Sequence, residues 1–145
     1  MQLGFEYDDK IVIEEYIRAR ELTVGILDEK PLPVIEIITK NKFFDYQAKY
    51  QAGFTEYIVP AKLDDYLMQE VQAVALRAHK ALGCWGCSRV DVLLAQNNKL
   101  YVLELNNIPG LTNMSLLPKA ARVNGIEFGE LCMTLLRLAY EKRKE

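Results

Sequence analysis

The sequence is poor in the features that would direct it to a polyanion, a membrane or an oxidising compartment. Eighteen Lys and Arg stand against 20 Asp and Glu, for a net charge of −2. With no sustained basic stretch, a nucleic-acid or polybasic membrane partner is not expected. No apolar run approaches the ~20 residues that a membrane helix requires. The start, Met1-Gln2-Leu3-Gly4-Phe5-Glu6, lacks the basic beginning and apolar core of a secretory signal, so a cytoplasmic location is expected. What is present is a globular composition: 145 residues, 50% hydrophobic and 26% charged. That is too apolar for disorder and enough for one ordinary domain or two very small ones.

Metal-binding and redox residues are equally scarce. There are three cysteines, Cys84, Cys87 and Cys132, and one histidine, His79. Cys84-Trp85-Gly86-Cys87 has the spacing of a redox pair or half a zinc site. Zinc would need two more ligands from residues far off in sequence. A redox pair belongs at a helix start after a strand, where the helix N-terminus lowers a thiol pKa. Here the order is reversed, a helix before the pair and a strand after it. Plain buried or loop cysteines are expected.

The first 60 residues read as strands and loops: Lys10 to Tyr16, Glu21 to Leu27, Val34 to Thr39 and Glu56 to Val59, with an aromatic loop from Phe43 to Gly53. Leu63 to Leu82 is the clearest helix. Leu63, Leu67, Val71, Val74, Ala78 and Leu82 recur at helical spacing, Asp64 and Asp65 suit its start, and Gly83 suits its end. His79 lies beside this stripe and is expected to be solvated or flanking. Strands from Ser88 to Leu94 and from Leu100 to Leu105 flank Gln96-Asn97-Asn98-Lys99, a tight-turn signal. Helices are expected from about Ser115 to Val123 and from Phe128 to Tyr140. The fold class is α+β, dominated by antiparallel pairing.

The hairpin fixes a register. With its turn centred on Asn97-Asn98, Val90 faces Leu105, Val92 faces Leu103 and Leu94 faces Tyr101, forming an apolar face. On the other face Asp91 lies opposite Glu104 and Arg89 opposite Asn106, with Leu93 and Val102 alongside. Facing carboxylates repel unless something positive lies between them. Asp, Glu and an Asn amide suit magnesium, and Arg89 suits an anionic substrate or a developing oxyanion. The competing account is a solvated hairpin face on which Arg89 bridges the acids as an ordinary ion pair.

At these residues the chain resembles the D-alanine–D-alanine ligases, ATP-grasp enzymes of bacterial cell-wall (peptidoglycan) synthesis. Leu82 to Thr112 carries their C-terminal signature: Arg89-x-Asp91 on one strand, Glu104-x-Asn106 on the next, then Pro109-Gly110. The similarity extends to Glu14-Glu15-Tyr16-Ile17, Glu21, Asp45 to Tyr50 and Ser115-Leu116-Leu117-Pro118. One position departs: the family has Thr or Ser where this chain has Asn107, a polar group that can still hydrogen-bond locally.

The resemblance implies an ATP-grasp C-terminal domain, a largely antiparallel sheet packed by helices. It implies ATP-dependent joining of two D-alanines through an acyl phosphate. Asp91, Glu104 and Asn106 match the ligands of two magnesium ions, with manganese as an alternative. Arg89 and the N–H of Gly110 match the groups that steady the phosphate and the tetrahedral intermediate. Ser115 and Leu116 match the positions holding the second substrate's carboxylate, and Ser115 is by itself a natural helix N-cap. Glu14, Tyr16, Ile17 and Glu21 match adenine and ribose contacts. Lys49 matches a lysine near the transferred phosphate, and Tyr50 accompanies dipeptide rather than depsipeptide formation.

A complete enzyme of this family is longer. It adds an acid that positions the first D-alanine, a Ser-Gly-rich loop over the phosphates and two phosphate-binding lysines. Gly83-Cys84-Trp85-Gly86 is no such loop. Residues 1–60 then correspond to the remainder of the central nucleotide-binding subdomain and 61–145 to the C-terminal metal- and substrate-binding subdomain. The chain is expected to be inactive without its missing half, and the full enzyme to be a homodimer. Another ATP-grasp carboxylate–amine ligase, or a non-catalytic nucleotide-binding fragment, stays open.

Overall fold

Alternating side chains along two long antiparallel strands organise the fold. The computed structural model describes residues 5–39 and 55–142. The strands are β1 (Ala19–Leu27), β2 (Lys30–Pro31), β3 (Ile35–Thr39), β4 (Thr55–Ile58), β5 (Cys87–Ala95) and β6 (Leu100–Asn106). They form one sheet, ordered β4-β3-β1-β5-β6, with β2 on the end of β1, and every pairing is antiparallel. Among the described residues three helices, α1 (Asp65–Ala81), α2 (Leu116–Val123) and α3 (Phe128–Lys142), complete the expected α+β class.

β1 and β5 pair over their full length, Ala19 opposite Ala95 through to Leu27 opposite Cys87. Because strand side chains alternate, Leu22, Val24 and Ile26 share one face with Val90, Val92 and Leu94. That face packs on Val71 and Ala75 of α1 in one buried cluster. On the opposite face Leu27 and Ile35 meet Leu117, Ala120 and Ala121 of α2 and Leu131 and Leu138 of α3. Each of these Leu, Ile and Val side chains contributes about 1.5–3 kcal/mol when fully buried. Arg20 clamps β1 to β3. Its guanidinium holds the Glu36 carboxylate at 2.7 and 2.8 Å and donates to the Lys62 carbonyl at 2.9 Å.

α1 begins two residues later than its apolar pattern, because the Asp64 carboxylate accepts from the Leu67 N–H at 2.8 Å as the N-cap. It ends as expected at Gly83, whose φ of +61° is open to glycine. The Gly83 and Cys84 N–H groups close the end on the carbonyls of Lys80 and His79.

Three expectations need correction. The buried stripe of α1 runs through Val71, Ala75 and His79, whereas Leu82 is exposed. Leu82 is the C-cap, beyond the turns that lie on the sheet. His79 is therefore not solvated; it is fully buried, 2.7 Å from the Ser88 hydroxyl at the start of β5. The stretch from Lys10 to Tyr16 is not a strand among the described residues. It lies outside the sheet order, and a strand without a hydrogen-bonded neighbour leaves its backbone groups to water. Residues 40–54, with most of the expected aromatic loop, lie outside the described residues.

The hairpin register holds in one half only. Arg89 lies opposite Asn106, Val90 opposite Leu105 and Asp91 opposite Glu104, as read from the sequence. Nearer the turn, Val92 faces Val102 and Leu94 faces Leu100, not Leu103 and Tyr101. The loop has an odd length: Ala95 and Lys99 close it, and Asn98 takes a φ of +61°. One unpaired residue must then be absorbed, and a bulge between Asp91 and Val92 leaves Leu103 as that residue. Leu103, rather than Val102, joins Leu93 on the polar face.

Gly25 sets how closely α2 approaches. A Cβ there would lie 2.7 Å from Leu117 Cδ1 and 3.1 Å from Leu32 Cδ1. Gly25→Ala should cost about 1–3 kcal/mol through overpacking, read as a lower urea midpoint. Leu117→Ala should absorb much of that cost, so the two changes should be non-additive. Strict additivity would show that the contact does not set the packing.

Burial holds the His79 imidazole below its ordinary value, opposed by the charge of Glu29 and aided by that of Lys80. Its folded pKa is below its unfolded pKa of about 6.5, so the unfolded chain binds more protons in acid. Stability present above pH ~6.5 is therefore lost as the pH falls through that value. His79→Leu should flatten the decline in Tm between pH 7.5 and 5.5; an unchanged decline would assign the acid sensitivity elsewhere.

Candidate functional site

Alternation on β5 puts Arg89 and Asp91 on the face away from α1, and the register adds Glu104 and Asn106 from β6. The guanidinium grips the Asp91 carboxylate with both oxygens: Nε donates to Oδ1 at 3.0 Å and Nη2 to Oδ2 at 2.9 Å. Nη2 also lies 3.5 Å from Glu104 Oε1. The Arg89 and Asp91 side chains are only 20% and 17% exposed, Glu104 53%. Arg89 does bridge the two acids, but on a largely buried pair rather than on a solvated surface. Thr23, opposite Asp91 on β1, donates its hydroxyl to Asp91 Oδ1 at 2.6 Å.

After β6 the chain turns sharply. Asn106 Oδ1 accepts the Ile108 N–H at 3.0 Å. Gly110 then passes so near Ser115 that a Cβ would lie 2.9 Å from Ser115 Oγ. Ser115 is the N-cap of α2, as expected, but its hydroxyl does not cap the helix. It is turned to Thr112 instead, 2.9 Å from Thr112 Oγ1 and accepting the Thr112 N–H at 3.2 Å. Pro118 contributes no N–H to the first turn, which leaves those of Leu116 and Leu117 without a side-chain cap.

These groups surround an open cleft of about 540 Å³. Arg89, Asp91, Glu104, Asn106, Gly110, Ser115 and Leu116 all line it. A hollow of about 180 Å³ adjoins it, sharing Ile37, Asp91 and Glu104 and adding Glu21, Leu93 and Leu103. The structure thus brings together eight of the residues singled out from sequence, from β1, β5, β6, the following loop and α2. Glu14, Tyr16 and Ile17 are not among the residues lining either space. Tyr16 lines a separate hollow with Arg18, Arg20 and Leu67, and Glu14 is exposed. Lys49 and Tyr50 lie outside the described residues.

Sequence reasoning missed Thr23, Ile37 and Tyr57. Their places depend on strand pairings between distant residues, for which no local pattern exists. Tyr57 lines the cleft, with the Lys119 ammonium 4.3 Å from its ring centre. Burial pushes its phenol pKa up, and the nearby Arg89 charge pulls it partly back.

Two carboxylates share one guanidinium, so the cleft has unspent negative charge beside a fixed cation. Among the described residues no group of three or more His, Cys, Asp or Glu is placed to hold a metal. The available set is two carboxylates and an amide, all oxygen donors. That set fits magnesium, which takes one or two carboxylates and completes its shell with water and phosphate oxygens. It does not fit a soft metal. The CxxC cysteines play no part: burial, and then Cys84, push the Cys87 thiol pKa up, the reverse of an activated thiol.

Comparison with known proteins gives the same family that the signature suggested. Residues 1–137 match the family described as D-ala D-ala ligase C-terminus. The D-alanine–D-alanine ligase of Geotalea uraniireducens is 45% identical over 139 residues, covering 96% of this chain and 45% of the relative. That of Geobacter sulfurreducens is 43% identical over 145 residues, covering 99% of this chain and 46% of the relative. The solved Bacillus anthracis D-alanine–D-alanine ligase complexed with ATP matches with a TM-score of 0.82 and 38% identity, over 99% of this chain and 47% of that one. The Coxiella burnetii enzyme matches with a TM-score of 0.82 and 29% identity, over 99% of this chain and 38% of that one. The chain spans about half the length of the curated relatives it matches. In sequence and in ATP-grasp fold, it belongs to the D-ala D-ala ligase C-terminus family.

Proposed function

We propose that this chain is the nucleotide-, metal- and substrate-binding C-terminal part of a cytoplasmic D-alanine–D-alanine ligase. The whole enzyme, a homodimer, joins two D-alanines for peptidoglycan synthesis, forming an acyl phosphate and ADP from ATP. One observation carries this reading: Arg89, Asp91, Glu104 and Asn106 line the same cleft as Gly110 and the start of α2. Anion-binding and cation-binding groups are thereby held side by side.

Asp91, Glu104 and Asn106 would hold magnesium, whose charge would support phosphoryl transfer. Arg89 already has its guanidinium fixed by Asp91, so it meets a developing negative charge with little reorganisation. The Gly110 N–H assists it. Leu116, at the first turn of α2, and Ser115 receive the carboxylate of the second D-alanine at the positive end of the helix. Glu21, in the adjoining hollow, accepts from ribose hydroxyls, with apolar Leu103 beside it. Glu14, Tyr16 and Ile17 reach the adenine, and Lys49 and Tyr50 the phosphate and substrate, once the other half of the enzyme is in place.

Titration calorimetry with ADP and magnesium should show binding. Asp91→Ala or Glu104→Ala should weaken it at least about tenfold, as each removes charge-assisted contacts worth ~1.5–3 kcal/mol. Unchanged binding in both variants would sink the metal assignment. Phosphate release from ATP with D-alanine should be undetectable in the 145-residue chain, because the missing half carries the remaining phosphate and substrate groups. Robust turnover would contradict the division of labour proposed here.

A further inference from the structure

We infer that Thr23 is a positioning residue for the cation-binding carboxylate of the cleft, fixing Asp91 through the hydroxyl that it donates to Oδ1. The inference rests on the proposed reading of Asp91 as a magnesium ligand and deepens it. Thr23 is 1% exposed, so its hydroxyl must find a protein partner. Two oxygens are within reach, Asp91 Oδ1 at 2.6 Å and the Val90 carbonyl at 3.4 Å. A hydroxyl has one proton, and the short distance to a charged acceptor marks where it goes.

The arrangement has a consequence for loading. Among the described residues, the Asp91 carboxylate is otherwise gripped by Arg89, through both oxygens. Arg89 also faces Glu104 and the open cleft, whereas Thr23 reaches Asp91 from the interior of the sheet. Thr23 is a buried, β-branched side chain in the central strand of the sheet, stiff at χ1. Thr23 and Arg89 Nε meet at Oδ1, and Oδ2, bonded by Nη2, keeps a lone pair for a cation. Partners of this kind commonly alter metal affinity when removed. Arg89 is thus shared with Glu104 and the cleft, and Thr23 is committed to Asp91.

The test titrates Mn2+ into the chain saturated with ADP, reading free Mn2+ by electron paramagnetic resonance. Thr23→Val, which keeps the shape and removes the hydroxyl, should weaken Mn2+ binding about 10–100-fold. Thr23→Ser should restore most of the affinity, a rescue that a purely packing role would not give. Urea midpoints check the fold, and Thr23→Ala replaces valine if that variant is unfolded. Wild-type affinity in Thr23→Val, with loss in Asp91→Ala, would overturn the positioning role and leave the metal reading intact. Equal loss in Thr23→Val and Thr23→Ser would assign the effect to packing and overturn it as well. Unchanged affinity in Asp91→Ala, or no uptake by the wild-type chain, would overturn the metal reading and this inference with it.

Discussion

The pairing of β1 with β5 is the constraint on which the rest of this structure depends. It runs the full length of both strands, and its side-chain period of two sorts residues into opposite environments. Leu22, Val24 and Ile26 go with Val90, Val92 and Leu94 to the α1 side, while Thr23 and Gly25 go with Arg89 and Asp91 to the other. A slip of one residue would expose the core and bury the charges without partners. Apolar burial therefore enforces the register, and the register holds the polar groups of the cleft.

The cleft is charged, yet no charge in its centre is isolated. Burying a carboxylate is costly unless it is paired and hydrogen-bonded. Asp91 meets that condition with Arg89 on both oxygens and Thr23 on one. Glu104, more exposed on the outer strand, takes the longer contact at 3.5 Å among the described residues. The site thus has an inner acid held firmly and an outer acid with freedom to adapt. Close approach matters as much: Gly25 admits Leu117, and Gly110 admits Ser115, so α2 starts at the lip of the cleft.

Much of this was legible in the residues themselves. The facing of Asp91 with Glu104 and of Arg89 with Asn106 follows from two alternating runs around an Asn-rich turn. The same argument failed nearer the turn, because the odd loop length and the bulge at Leu103 conserve pairing only beyond the point where they cancel. The α1 helix is evident from its period, and Leu63, Leu67, Val71 and Ala78 of the expected stripe do pack on the core, but its most buried residues include Ala75 and His79, and Leu82 is exposed. A polar side chain beside a stripe cannot be placed without knowing where the sheet lies, and Ser88 is what makes His79 tolerable inside. Ser115 was rightly placed at a helix start, though its hydroxyl serves the Thr112 turn rather than the helix.

By itself, the sequence determined the α+β class, the hairpin's polar face and the family signature, because these rest on local alternation and short spacing. Tertiary structure decided which distant residues meet that face. Thr23 reaches Asp91 across 68 positions of chain, Ile37 and Tyr57 arrive from strands on the far side of β1, and Tyr16 is directed to a different hollow. Such meetings depend on strand order, and strand order is set by how all the apolar faces pack at once rather than by any local run of residues.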